Sequence, residues 1–197
     1  MRRDQGFGLV ELLIAMTVMA VALMALVAAF SSSSFAVARA SNVATAGALA
    51  DTQMEAYRIM SYDDIGLDLT NVASLDATYK NDTACYDVGT ATNCTQSTSP
   101  AGVKLIAPTG AHTCATINLW YPTTVPCTPQ RVVVGADGHS YRIDTYIAAT
   151  ATTAAMRTTK HVVVVVRDAT NLGSTLARED SVFDCSTGAL GSTCPVA

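Results

Sequence analysis

The sequence predicts an α+β fold in which one long N-terminal helix, apolar over its first half, precedes a head built on an antiparallel sheet. Three observations carry that expectation. Leu9 to Phe30 is an apolar run interrupted only by Glu11 and Thr17. No proline occurs before Pro100, and Gly47 is the one glycine between Gly8 and Gly66, so little opposes a helix over that length. Lys160-His161-Val162-Val163-Val164-Val165-Val166-Arg167 is rich in β-branched residues and follows an alternating stretch at Ser140–Ala148, the pattern of paired strands.

The first element is a membrane-length helix. At about 1.5 Å per residue, Leu9–Phe30 gives roughly 33 Å, enough to cross a hydrocarbon layer of about 30 Å. Arg2 and Arg3 stand before the run, and positive-inside bias keeps that end in the cytoplasm and sends the rest across. The run is longer than the apolar core of an ordinary secretory signal, which is also cut on its far side. Glu11 is the anomaly. A charged side chain deep in lipid costs on the order of 2.5–3.5 kcal/mol, so Glu11 sits either near the headgroups or opposite a partner.

Gly6-Phe7-Gly8-Leu9-Val10-Glu11-Leu12-Leu13-Ile14-Ala15-Met16 resembles the signal of type IV pilins and type II secretion pseudopilins. That resemblance implies cleavage after Gly6 by a prepilin peptidase, N-methylation of Phe7 as the new N-terminus, and a docking role for Glu11. Gly8 departs from the Thr or Ser more common at its position. The Phe7 amine would then lie four residues from Glu11, where low dielectric draws the two charges together within one chain or between neighbours. The implied partners are the peptidase/methyltransferase, other pilin or pseudopilin subunits, the membrane and an assembly platform. The Ala-, Met- and Leu-rich continuation and the segment Ala48–Glu55 resemble minor subunits more than abundant ones.

The helix should continue beyond the membrane. Ala36, Ala40, Val43, Gly47, Ala50, Met54 and Tyr57 form one stripe at helical spacing, expected to pack on the chain's own sheet. Tyr62-Asp63-Asp64-Ile65-Gly66 reads as the exit, with Gly66 as the stop. The organisation is therefore a leader at 1–6, a transmembrane and filament-core half at 7–30, a head-packed half at 31–65, and an exported head at 66–197. Within the head, short strands are expected near Ala101–Pro108 and Ala115–Tyr121. A hairpin is expected from Arg131–Val134 and Ser140–Ala148 around Gly135-Ala136-Asp137-Gly138-His139. Tyr141, Ile143, Thr145 and Ile147 alternate with Arg142, Asp144 and Tyr146, which suggests one buried face. Three antiparallel strands in a meander are the economical sheet, and the pilin resemblance implies the same order of helix, variable loop and sheet.

Cys85, Cys94, Cys114, Cys127, Cys185 and Cys194 all fall on the exported side, where an even number argues for disulfides. Joining neighbours gives Cys85–Cys94, Cys114–Cys127 and Cys185–Cys194 as the simplest of many pairings. Each would contribute about 2–4 kcal/mol by restricting the unfolded chain. The last pair would resemble the disulfide-bounded C-terminal loop of many pilins. Zinc at His112 and Cys114 is the rival, weakened by the lack of any Cys-x-x-Cys or second ligand pair.

Signals for other chemistry are thin. His112, His139 and His161 are the only histidines, and no G-x-S-x-G, P-loop or dinucleotide fingerprint occurs. Asp63, Asp64 and Asp68, or Asp180 and Asp184, lack the spacing of a calcium loop and read as solvated acids. Asn81-Asp82-Thr83 fits a glycosylation sequon. Formal net charge is −4, and loss of Met1–Gly6 with Arg2, Arg3 and Asp4 makes it −5 before the new amine is counted. With no basic run, nucleic acid is not an expected partner. The expectation is a non-enzymatic, minor pilin- or pseudopilin-like subunit without cofactor or metal, its mature form in a cell-surface or periplasmic filament. The alternative is a membrane-tethered ectodomain that binds a ligand or surface.

Overall fold

The computed structural model describes residues 8–70, 72–85, 105–150 and 159–185. Its contacts divide the chain into two units, Met1–Ser41 and Asn42–Ala197. Helix α1, Leu9–Ile59, is the first element. In the first unit its apolar side chains lie on the surface all round, from Leu9 at 78% exposure to Phe30 at 76%. In the second unit one face is covered, and Ala46, Ala50, Gln53, Met54, Ala56 and Tyr57 are buried. Of the expected stripe, Ala50, Met54 and Tyr57 reach the core. Ala36, Ala40 and Val43 are exposed, and the seam passes through Ala46 rather than Val43. A Cβ added at Gly47 would meet nothing within 4 Å, so its small size is not a packing requirement.

The helix ends earlier than the sequence suggests. Tyr62–Asp64 forms a separate 3-10 turn after α1. Gly66 has a different task from stopping a helix. A Cβ there would lie 2.2 Å from the Pro108 backbone nitrogen, so glycine allows two backbones to pass in close contact.

Four strands make the sheet among the described residues: β1 Gln130–Val134, β2 Ser140–Thr150, β3 Thr159–Asp168 and β4 Thr175–Asp184. They pair antiparallel in the order β1-β2-β3-β4, so the meander is extended by one strand beyond expectation. β4 carries little strand signal in the sequence because Arg178-Glu179-Asp180-Ser181 breaks its apolar pattern, as suits an edge strand. The β1–β2 turn is closed by Gly138 at φ +78°, whose N–H donates to the Gly135 carbonyl at 2.9 Å. The β3–β4 turn is set by Asp168, whose Oδ1 accepts from the Thr170 N–H at 2.8 Å and the Thr170 hydroxyl at 2.6 Å.

Both sheet faces are covered at the centre, which corrects the one-faced reading of β2. Tyr141 through Ala148 are all buried. On one face Ile143, Ile147, Val162, Val164 and Val166 join Ala46, Ala50, Met54 and Tyr57 of α1 in the core. Across the other lies the segment containing α2, Ala77–Lys80. Tyr79 stacks on Tyr146 at 4.4 Å between ring centres, and its hydroxyl donates to the Thr145 carbonyl at 2.7 Å. Backbone bonds from Leu67 to Ile106 at 2.9 Å and from Ile106 to Ile147 at 3.0 Å tie the chain along the sheet.

Leu105 makes an isolated bridge to Ala148, while residues 101–104 of the first expected short strand lie outside the described residues. Ala115–Tyr121 is not a strand. It falls on α3, Cys114–Trp120, capped by the Thr113 hydroxyl, which accepts from the Thr116 N–H. Local capping outweighs the β-leaning Thr116, Ile117 and Trp120.

Candidate functional site

The first unit presents a helix with a continuous apolar surface and almost no charge. A helix apolar on every side has no stable place in water and requires lipid or other helices around it. Its polar exceptions are satisfied locally. The Thr17 hydroxyl donates to the Ile14 carbonyl at 2.8 Å, Ser31 to Val27 at 2.9 Å, Ser33 to Phe30 at 2.8 Å and Ser34 to Phe30 at 2.9 Å. A hydroxyl bonded to its own helix can enter an apolar phase without leaving a donor unpaired.

Glu11 occupies the first turn of α1 and is exposed. Its N–H donates to the Gly8 carbonyl at 2.9 Å. A carboxylate at this end is favoured by the helix dipole. The expected cleavage residues Gly6 and Phe7 lie outside the described residues. A Cβ at Gly8 would meet nothing within 4 Å.

In the head, Cys114 and Cys127 form a disulfide with Cα atoms 5.4 Å apart. It holds the N-terminus of α3 against residues 126–128, where the Cys127 N–H donates to Asn118 Oδ1 at 3.0 Å and the Cys127 carbonyl accepts from Asp68 at 2.8 Å. The bond takes Cys114 away from any metal site. Cys185 is buried and also disulfide-bonded. Cys94 and Cys194, with the expected pairs Cys85–Cys94 and Cys185–Cys194, lie outside the described residues.

Each histidine has an aspartate partner. His112 Nδ1 lies 3.0 Å from both carboxylate oxygens of Asp64, His139 Nε2 lies 3.3 Å from Asp168 Oδ2, and His161 Nε2 lies 3.8 Å from Asp180 Oδ2. An open pocket of about 530 Å³ lies between residues 67–70 and 107–114, with His112 and Asp68 among its walls. Both polar groups are already engaged. The Thr70 hydroxyl and N–H donate to Asp68 and hold its carboxyl below the usual carboxylate range. No cluster of three or more metal-binding side chains occurs among the described residues.

A buried charge layer is the feature that sequence reasoning missed. Asp144, fully buried on β2, accepts from Arg142 Nη2 at 2.8 Å and from Arg167 Nε at 3.2 Å. Arg142 also pairs with Asp76, and Arg167 with Asp82. These charges face the segment around α2, and their alternation on β2 reads in sequence as a solvent face. The clue available was that Arg142 and Asp144 flank Ile143 in a strand whose neighbour, β3, is apolar on both faces.

Residues 1–27 match the family model for the prokaryotic N-terminal methylation motif. No curated protein and no solved structure matches the chain.

Proposed function

From a chain that carries a type IV pilin/pseudopilin-type signal on an apolar helix, we propose a minor structural subunit of a type IV pilus or type II secretion pseudopilus. The motif is a substrate signal for prepilin peptidase and suggests a structural, non-enzymatic role. The single apolar helix fits a single-pass membrane anchor. In the proposed cycle the chain inserts with its N-terminus in the cytoplasm and is cut after Gly6. Phe7 is methylated, and α1 leaves lipid for the core of a filament. Helix–helix contacts then replace lipid contacts around its apolar surface. Glu11 pairs with the Phe7 amine of a neighbour and sets axial register, since a misplaced subunit leaves both charges unpaired.

The observation that carries this reading is the coincidence of the matched motif with an apolar helix surface that its own chain leaves uncovered. Mass spectrometry of sheared surface filaments from the native cell tests it. The expected result is an N-terminal peptide beginning at Phe7 and heavier by one methyl group. An intact leader confined to the membrane fraction would refute assembly and favour a tethered ectodomain.

A further inference from the structure

Between Gly8 and Ala50 the chain carries two charged side chains, Glu11 and Arg39. Both lie on α1 within the unit Met1–Ser41. They stand roughly 42 Å apart along the axis at about 1.5 Å per residue. A hydrocarbon layer of about 30 Å is too thin for that separation, whereas a bilayer with its headgroup regions, about 40–45 Å, matches it. A tilt of about 20° shortens the projection to roughly 39 Å and leaves one charge in each headgroup layer.

The helix between the charges agrees with this placement. Phe35 is 77% exposed and Val37 69% exposed, so apolar surface continues past the serine run almost to Arg39. Ser31, Ser33 and Ser34 turn their hydroxyls onto preceding carbonyls and so tolerate an apolar surrounding. Arg39 has no hydrogen bond or ion pair among the described residues. Topology does not call for it either, because a cation on the exported side opposes positive-inside bias. An arginine emerging from an apolar helix extends its stem along the lipid and seeks an anion at the surface.

We propose that Arg39 is a lipid-phosphate site, its guanidinium binding the phosphodiester of a phospholipid headgroup in the leaflet facing the exported side. The planar fork fits two phosphate oxygens at once. Phe35 stands one turn earlier on the same side of α1. Glu11 marks the opposite headgroup layer, and the two charges together fix the depth of α1 before assembly. The site rests on the membrane-inserted reading given above.

Solid-state NMR tests it on the full chain with isotope-labelled arginine guanidinium carbons. The chain is reconstituted in phosphatidylethanolamine and phosphatidylglycerol vesicles in phosphate-free buffer. The expected result is a component of guanidinium dephasing by phosphorus that is present in the wild type and lost in Arg39→Gln, the contribution of Arg2 and Arg3 being the same in both chains, while both chains float with the vesicles. Identical dephasing in the two chains overturns the Arg39 site and leaves membrane insertion standing. If neither chain floats, the membrane reading fails and takes the site with it. Equal dephasing of Arg39 by inorganic phosphate in phospholipid-free maltoside micelles would reassign the site to free phosphate and overturn the headgroup proposal.

Discussion

Asp144 and Lys160 show what single buried charges do in this head. Asp144 is enclosed with Arg142 and Arg167, which are themselves 4% and 6% exposed. Burial pushes the Asp144 carboxyl up, and the Arg142 guanidinium opposes that. Removing one member leaves the others uncompensated, so Asp144→Asn is expected to cost about 3–5 kcal/mol in urea unfolding. A loss below about 1 kcal/mol would mean that water reaches the cluster. Lys160 is 3% exposed, donates to the Tyr62 and Ile65 carbonyls at 2.7 and 2.8 Å, and lies 4.5 Å over the Tyr62 ring. Burial pushes its pKa from 10.5 down to about 8. Between those values the unfolded chain holds the proton that the folded chain has released. The Lys160 contribution to stability is therefore lowest below pH 8 and rises toward pH 10.5. Wild type should gain stability relative to Lys160→Met as pH is raised across that window. Parallel pH profiles for the two proteins would contradict the assignment.

At the scale of elements, two glycines make opposite predictions. Gly47 lies inside α1 with open space around an added Cβ, so Gly47→Ala should stabilise by about 0.5–1 kcal/mol. Gly66 faces the Pro108 backbone at 2.2 Å from the same virtual atom. Gly66→Ala must push two chain segments apart and should cost about 1–3 kcal/mol. Chemical denaturation of both variants checks the pair. Sequence alone ranked these glycines the other way, with Gly47 in a close-packing stripe and Gly66 as a helix stop. Backbone proximity between residues distant in sequence leaves no local pattern. The strands were more readable: the β1–β2 turn and the valines of β3 have strong local chemistry, while the charged edge strand β4 and the short helix α3 do not.

For the whole molecule, the decisive variant is Glu11→Ala. The expected chain still inserts and is still cut after Gly6, because the apolar length and the leader charges are unchanged. Its recovery in sheared filaments should fall about tenfold or more if an unpaired Phe7 amine costs about 1.4 kcal/mol or more at docking. Immunoblots of filament and membrane fractions measure this, and normal incorporation would remove Glu11 from register setting. The head, by contrast, should unfold cooperatively and unchanged in that variant, since Glu11 belongs to the first of the two units.

The sequence by itself determined the features that depend on local composition. These are Arg2 and Arg3 before the apolar run, the motif matched at residues 1–27, the long helix that carries Glu11, and the antiparallel order of the hairpin and the valine strand. Tertiary structure alone decided which face of α1 is covered, why Gly66 must be glycine, and that Asp144, Arg142 and Arg167 lie between two layers rather than in solvent. The physical reason is the range of the interactions. Helix propensity, turn chemistry and transfer from water act over a few neighbouring residues. Burial of a polar strand face instead depends on a segment around Asp76 and Asp82, some sixty to eighty-five positions away in sequence.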